Sequence, residues 1–147
     1  MTIHFTVLGR LAGAGSKTFM PRGGKAGGRP IAVPASKFTK PWMDSVRAEA
    51  AIAARNLPGL IRGPVAVIYS FYCPRPQAHY NSKGELRESA PGYPHHRREP
   101  DWDKLCRSTS DAMTGIVWQD DKQVIRAQVS VEYGEPMRAE ITVEELV

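Results

Sequence analysis

The chain has 147 residues, 41% of them hydrophobic, which suffices for one packed domain and is too short for two independent ones. Its 20 Lys and Arg against 15 Asp and Glu give a net charge of +5 and a pI near 9.4, which favours a polyanionic partner. Two cysteines exclude a secreted disulfide framework, no apolar run reaches membrane-spanning length, and the start MTIHFTVLGR lacks the build of a leader, so a soluble cytoplasmic protein with no membrane partner is expected.

Ile3, Phe5 and Val7 alternate with polar residues and predict a first strand with one buried face. Residues 9–40 hold most of the glycines and no apolar period, and predict a long flexible basic loop. A capping Thr39, Pro41 in the first turn, and Trp42, Val46, Ala50 and Ala53 at helical spacing predict a helix to about Asn56. The run VAVIYSFYC from Val65 to Cys73 is the best central-strand candidate, and a long polar loop from Pro74 to Pro100 follows it.

Leu105, Thr109, Ala112 and Ile116 predict a second helix over about 104–114, stopped by Gly115. Ile125, Ala127, Val129, Val131 and Tyr133, and then Ala139, Ile141 and Val143, alternate with polar residues on either side of Gly134 to Pro136, which predicts an antiparallel hairpin. The expected architecture is a single α+β domain over 1–147, with about four strands in a mixed or antiparallel sheet, two helices packed on one face and a long basic loop.

The densest chemistry lies in EPDWDKLCRSTSDAMTGIVWQDD, from Glu99 to Asp121. Asp101 and Asp103 are two apart, so on an extended backbone they point the same way, and Asp120 with Asp121 returns to them if the intervening helix folds back. Oxygen ligands select a hard divalent cation, magnesium or manganese, and such an ion held by Asp101, Asp103, Asp120 and Asp121 suits phosphodiester hydrolysis. Lys104 and Arg107, in the first turns of the helix, are candidates to stabilise charge on the phosphorane.

Each residue also has an ordinary reading: Asp101 as a turn after Pro100, Asp103 as the helix N-cap, the later pair as a solvated turn, and Asp111 as an ion-pair partner of Arg107 four residues back. The case rests on all of them surrounding one short helix in a basic chain. Trp42, Trp102 and Trp118 read as core or rim packing ahead of base stacking. His79, His95, His96 and the cysteines lack zinc-site spacing.

Between Arg10 and Met43 there is no acidic residue, and Lys17, Arg22, Lys25, Arg29, Lys37 and Lys40 form a cationic arm. His95, His96, Arg97 and Arg98 make a second basic patch just before Asp101. Both patches are expected to contact DNA phosphates.

Asp101, Asp103, Lys104, Leu105, Asp111, Ala112, Met113, Gly115, Asp120, Asp121, Gln123 and Val124 together resemble the RusA family of Holliday junction resolvases, with order and spacing matched. A looser match runs from Pro34 to Trp42. The resemblance implies a small α+β homodimer that binds four-way DNA junctions and makes paired, symmetric, magnesium-dependent nicks. It also implies that Asp101, Asp103 and Asp121 are the essential metal-site carboxylates, with Asp120 close by. A catalytic lysine of the family aligns with Arg107, so either Arg107 keeps that role or Lys104 assumes it. Trp102 replaces a usually aliphatic residue, and the 74–100 segment has no clear counterpart.

The expected function is thus a junction-resolving endodeoxyribonuclease of a bacterium or its virus. The alternatives are a metal nuclease for flaps or other branched DNA, a non-catalytic DNA-binding module, and a scaffold for recombination partners.

Overall fold

The computed structural model describes residues 1–14, 17–20, 31–34, 37–95 and 101–147, with the two short central stretches described by backbone alone. The elements in order are β1 (Thr2–Leu8), β2 (Lys17–Met20), β3 (Ile31–Pro34), α1 (Thr39–Ala53), β4 (Val65–Cys73), α2 (Trp102–Met113), β5 (Val124–Tyr133) and β6 (Arg138–Glu145). β2 and β3 form their own antiparallel pair, and the other strands make one mixed sheet in the order β1-β6-β4-β5.

Alternation along the strands decides which face is covered. Val65, Val67, Tyr69, Phe71 and Cys73 of β4 are buried on the side shared with Ala139, Ile141 and Val143 of β6 and with Phe5 and Val7 of β1. Trp42, Val46 and Ala50 from α1, and Leu105, Ala112 and Met113 from α2, complete that core. The opposite face carries His4, Thr142, Glu140 and Arg138, as expected for a sheet with one wet side. The α+β class and both helices match the expectation from sequence.

The terminal hairpin does not. β5 and β6 run antiparallel, but β4 lies between them, pairing parallel with β5 and antiparallel with β6. β4 is the most apolar strand and takes the central position, where both of its edges are hydrogen-bonded. The short connection from β5 to β6 therefore passes the end of β4, where the Gly134 amide donates to the Cys73 carbonyl at 2.9 Å. A Cβ on Gly134 would lie 2.8 Å from Tyr72 Cδ1, so this close passage requires glycine.

β5 is also less buried than its alternation suggests. A register shift opposite Val65 and Ala66 leaves Ile125 outside the pairing, 64% exposed, and the strand's position at the sheet edge leaves Ala127 exposed as well.

Of the expected 9–40 loop, residues 15–16, 21–30 and 35–36 lie outside the described residues. Leu11 and Ala12 are buried in the core, β2 and β3 lie within the segment, and α1 has begun by Thr39. Thr39 does not cap α1; its hydroxyl donates to the Gly13 carbonyl at 2.8 Å. Over 74–95 the polar loop is pinned to the end of β5. Arg75 lies 4.4 Å from the Tyr133 ring centroid and donates to the Pro91 carbonyl at 2.7 Å, and His79 meets the same ring edge-on at 5.5 Å. Among the described residues, no helix is long and apolar enough to cross a membrane.

Candidate active site

α2 starts earlier than its apolar period suggests. Asp101 occupies the N-cap with φ −75° and ψ 124°, its carbonyl accepting from the Leu105 amide at 3.0 Å, and the helix proper begins at Trp102. Asp103 is therefore inside the first turn and not the cap, and the extended-backbone argument for Asp101 and Asp103 gives way to helical geometry. The Asp101 side chain makes no cap hydrogen bond and pairs instead with Lys104 Nζ at 3.2 Å.

The start of α2 is fastened to the segment after β1. The Ala14 amide donates to the Lys104 carbonyl at 3.0 Å, and the buried Ser108 hydroxyl donates to the Ala12 carbonyl at 2.7 Å. Gly13 makes this possible, because a Cβ there would fall 2.6 Å from Lys104 Cβ. The root of the basic arm thus rests on the turn that carries Asp103 and Lys104.

Along α2, Asp103, Arg107 and Asp111 recur every four residues on the exposed side. No ion pair closes between Arg107 and Asp111, contrary to the expectation from their spacing. The Asp111 carboxyl titrates above its usual range because burial and the charge of Asp121 outweigh the help from Arg107. The later part of α2 therefore faces the turn that follows it.

Beneath this face lies Tyr69 of β4, bonded through its hydroxyl to Ser110 Oγ at 2.5 Å. Burial pushes its phenol well up, and Cys106 and Asp121 add to the effect. The Cys106 thiol is pushed up to about 11 by burial and by Asp103. Asp103, Cys106, Tyr69, Asp121 and Asp111 consequently share one electrostatic neighbourhood.

After α2 the chain reverses at Gly115, whose φ of +86° favours glycine, and Val117 and Trp118 enter the core. Asp121–Gln123 form a single 3-10 turn. Asp120 caps it by accepting from the Lys122 amide at 2.9 Å, and that bond holds the Asp120 carboxyl below its ordinary range.

Gln123 fixes this turn with both ends of its amide. Its oxygen accepts from the Gln119 and Asp120 amides at 2.9 and 2.8 Å, and its nitrogen donates to the Ile61 and Gly63 carbonyls at 2.8 and 2.9 Å. Sequence reasoning assigned Gln123 no role beyond the motif match. The signal available was the Asp-x-x-Gln spacing of a capping box.

The charge of Asp121 is thus felt at Asp111 and Tyr69 and that of Asp103 at Cys106, while Asp101 pairs with Lys104. Among the described residues, no three His, Cys, Asp or Glu side chains gather closely enough to hold a metal ion together. Neighbouring carboxylates repel one another without a counter-charge, and here Asp101 and Asp120 are engaged by a nearby ammonium and a backbone amide. The donor chemistry suits a hard cation, since the exposed donors are all carboxylate oxygens.

Of the residues expected to contact DNA, Lys37 is exposed beside the Phe38 ring, 5.2 Å from its centroid, and Lys40 pairs with Asp44 at 3.4 Å. Lys17 lies on β2, described by backbone only, and Arg22, Lys25, Arg29, Arg97 and Arg98 lie outside the described residues, as does His96.

These features define a class: a small basic α+β domain that presents carboxylates on one helix and on the turn after it, above a buried tyrosine. The family model Endodeoxyribonuclease RusA matches residues 18–144, and the chain belongs to that family. It is also similar to the Uncharacterized protein YqaN of Bacillus subtilis (strain 168), 30% identical over 145 residues that cover 98% of this chain and 96% of that protein. The resemblance drawn from the aspartate motif holds across most of the chain, and the family is one of endodeoxyribonucleases.

Proposed function

We propose that the protein is a homodimeric, magnesium-dependent endonuclease that resolves four-way DNA junctions by paired symmetric nicks, acting in the cytoplasm. Family membership over residues 18–144 carries this reading, supported by the charge of Asp103 on α2 being felt at Cys106 and that of Asp121 on the following turn at the buried Tyr69. A junction has two opposed strands to cut, and a two-fold dimer offers two equivalent sites.

In this reading Asp101, Asp103 and Asp121 would hold the ion, magnesium or manganese, drawing closer together than they stand in this structure, and Asp120 would assist while capping its own turn. When bound, the ion supplies a water acidic enough to ionise near neutral pH and neutralises charge on the scissile phosphate. Arg107 is the better candidate for the cation that steadies the phosphorane. It is exposed on the same side of α2 as Asp103 and has no ion pair among the described residues, whereas Lys104 is occupied by Asp101. Attack in line with the 3′ oxygen leaves a 5′ phosphate and a 3′ hydroxyl. The basic arm, with Arg97 and Arg98, holds the DNA backbone.

The deciding experiment compares magnesium-dependent cutting of a synthetic four-way junction, a flap, a fork and a linear duplex at equal salt. The expected result is symmetric cutting of the junction, lost in Asp103→Asn while junction binding persists. Preferential cutting of flaps or forks contradicts the junction assignment, and no magnesium-dependent nicking of any substrate contradicts the enzyme.

A further inference from the structure

The three tryptophans have different fates. Trp42 and Trp118 are 2% and 0% exposed, and their indole N–H groups donate to Thr109 Oγ1 at 3.2 Å and Thr114 Oγ1 at 3.0 Å. Each fills the core and satisfies its polar edge. Trp102 is 61% exposed, and among the described residues its indole makes no hydrogen bond and no ring contact.

Helical spacing explains how it comes to be there. Trp102, Cys106, Thr109 and Met113 lie along one side of α2, and exposure falls along that line from Trp102 through half-buried Cys106 to the buried Thr109 and Met113. The stripe begins on the first turn of α2, beyond the packed core. A large flat apolar ring is thereby presented to solvent between Asp101 and Asp103, at the end of the helix where the carboxylates meet DNA in the proposed function.

A surface that needs only solubility does not place its largest apolar side chain between two carboxylates. The indole has a π-face suited to a nucleobase, and neighbouring negative charge disfavours a phosphate in the same spot but not an uncharged base. Paired bases within a duplex have both faces covered by their neighbours. At a branch point the bases beside the crossing strands are unstacked at lower cost, so a ring at this position discriminates branched from continuous DNA.

We propose that Trp102 is a specificity-determining residue that stacks on a nucleobase exposed at the branch point, adjacent to the strand to be cut. The inference rests on the nuclease reading above, and its test separates the two. Because Trp42 and Trp118 are buried, Trp102 dominates any change in tryptophan emission when DNA binds. The full-length protein, without divalent cation, is titrated with a four-way junction and with a linear duplex of equal length, following emission and affinity.

The expected result is quenching by the junction and little by the duplex. Trp102→Leu loses the quench and binds the junction more weakly by on the order of ten-fold, with duplex binding unchanged, and Trp102→Phe recovers part of the affinity. The wild-type preference for the junction, retained in full by Trp102→Leu, overturns the role of Trp102 and leaves the nuclease reading standing. Absence of any junction preference in the wild type overturns both. The position is exposed, so neither variant removes core packing, and unchanged duplex binding reports an intact fold.

Discussion

Asp120 and Asp121 stand on a turn whose backbone is held by side chains of its own, whereas Asp101 and Asp103 stand on a helix start supported from outside, by residues 11–14. On the turn, Gln123 satisfies two amides and two carbonyls and Asp120 satisfies a third amide. At the helix start the support is a backbone bond from Ala14 and a close approach at Gly13, while the Asp101 side chain is committed only to an exposed lysine. The difference teaches where each half of the site is vulnerable. The turn is set before any ligand arrives, and the helix end keeps an exchangeable partner, because an exposed ion pair contributes about 0–1 kcal/mol and yields readily to a stronger charge.

The largest expected effect on stability comes from the turn. Gln123→Ala removes its four hydrogen bonds and leaves the Ile61 and Gly63 carbonyls without that partner, at a cost of about 2–3 kcal/mol in urea unfolding, together with loss of cutting. Gln123→Glu keeps the acceptor for the Gln119 and Asp120 amides but sets an oxygen against two carbonyls, so it recovers only part of this. A loss below about 0.5 kcal/mol for the alanine variant erases the contrast between the mounts.

Gly13→Ala strikes the other mount. The added methyl meets Lys104 Cβ, and relief requires the 11–14 segment or the first turns of α2 to shift, costing about 1–3 kcal/mol. Cutting is expected to fall more than this stability loss explains, because Asp103 moves with the helix. Full activity at lowered stability would mean that the helix end needs no support from residues 11–14.

The smallest effect probes the ground between the mounts. With its thiol pushed up to about 11, Cys106 is protonated at neutral pH, since a raised value means the thiolate forms only well above the usual range. Alkylation by iodoacetamide is therefore slow at pH 8, where less than about 1% is thiolate, and accelerates toward pH 11. Replacing Asp103 by Asn removes one of the two causes and moves that acceleration to lower pH. Rapid alkylation of Cys106 at pH 8 contradicts the crowding of this neighbourhood.

Much of the fold was legible because single elements announce themselves. The VAVIYSFYC run of β4 and the Trp42, Val46, Ala50 spacing of α1 report burial directly, and both are buried as read. Sheet order was not legible, since adjacency in sequence predicts a β5-β6 hairpin, while the most apolar strand inserts between them. In the site, the aspartates were found by type and spacing. The start of α2 and the work of Gly13 and Gln123 depend on neighbours 60 to 96 residues away and leave little local pattern, apart from the Asp120 to Gln123 capping box.

The central claim is that Asp103 and Asp121, on their separate mounts, act on one divalent ion. Manganese binding followed by the paramagnetic resonance of the free ion tests it directly, in the wild type, Asp103→Asn, Asp121→Asn and the double variant. The account predicts that each single substitution weakens binding at the same site by about ten-fold or more, and that the double variant loses less than the two effects combined. Binding that survives Asp121→Asn unchanged, or two losses that simply add, contradicts a shared ion.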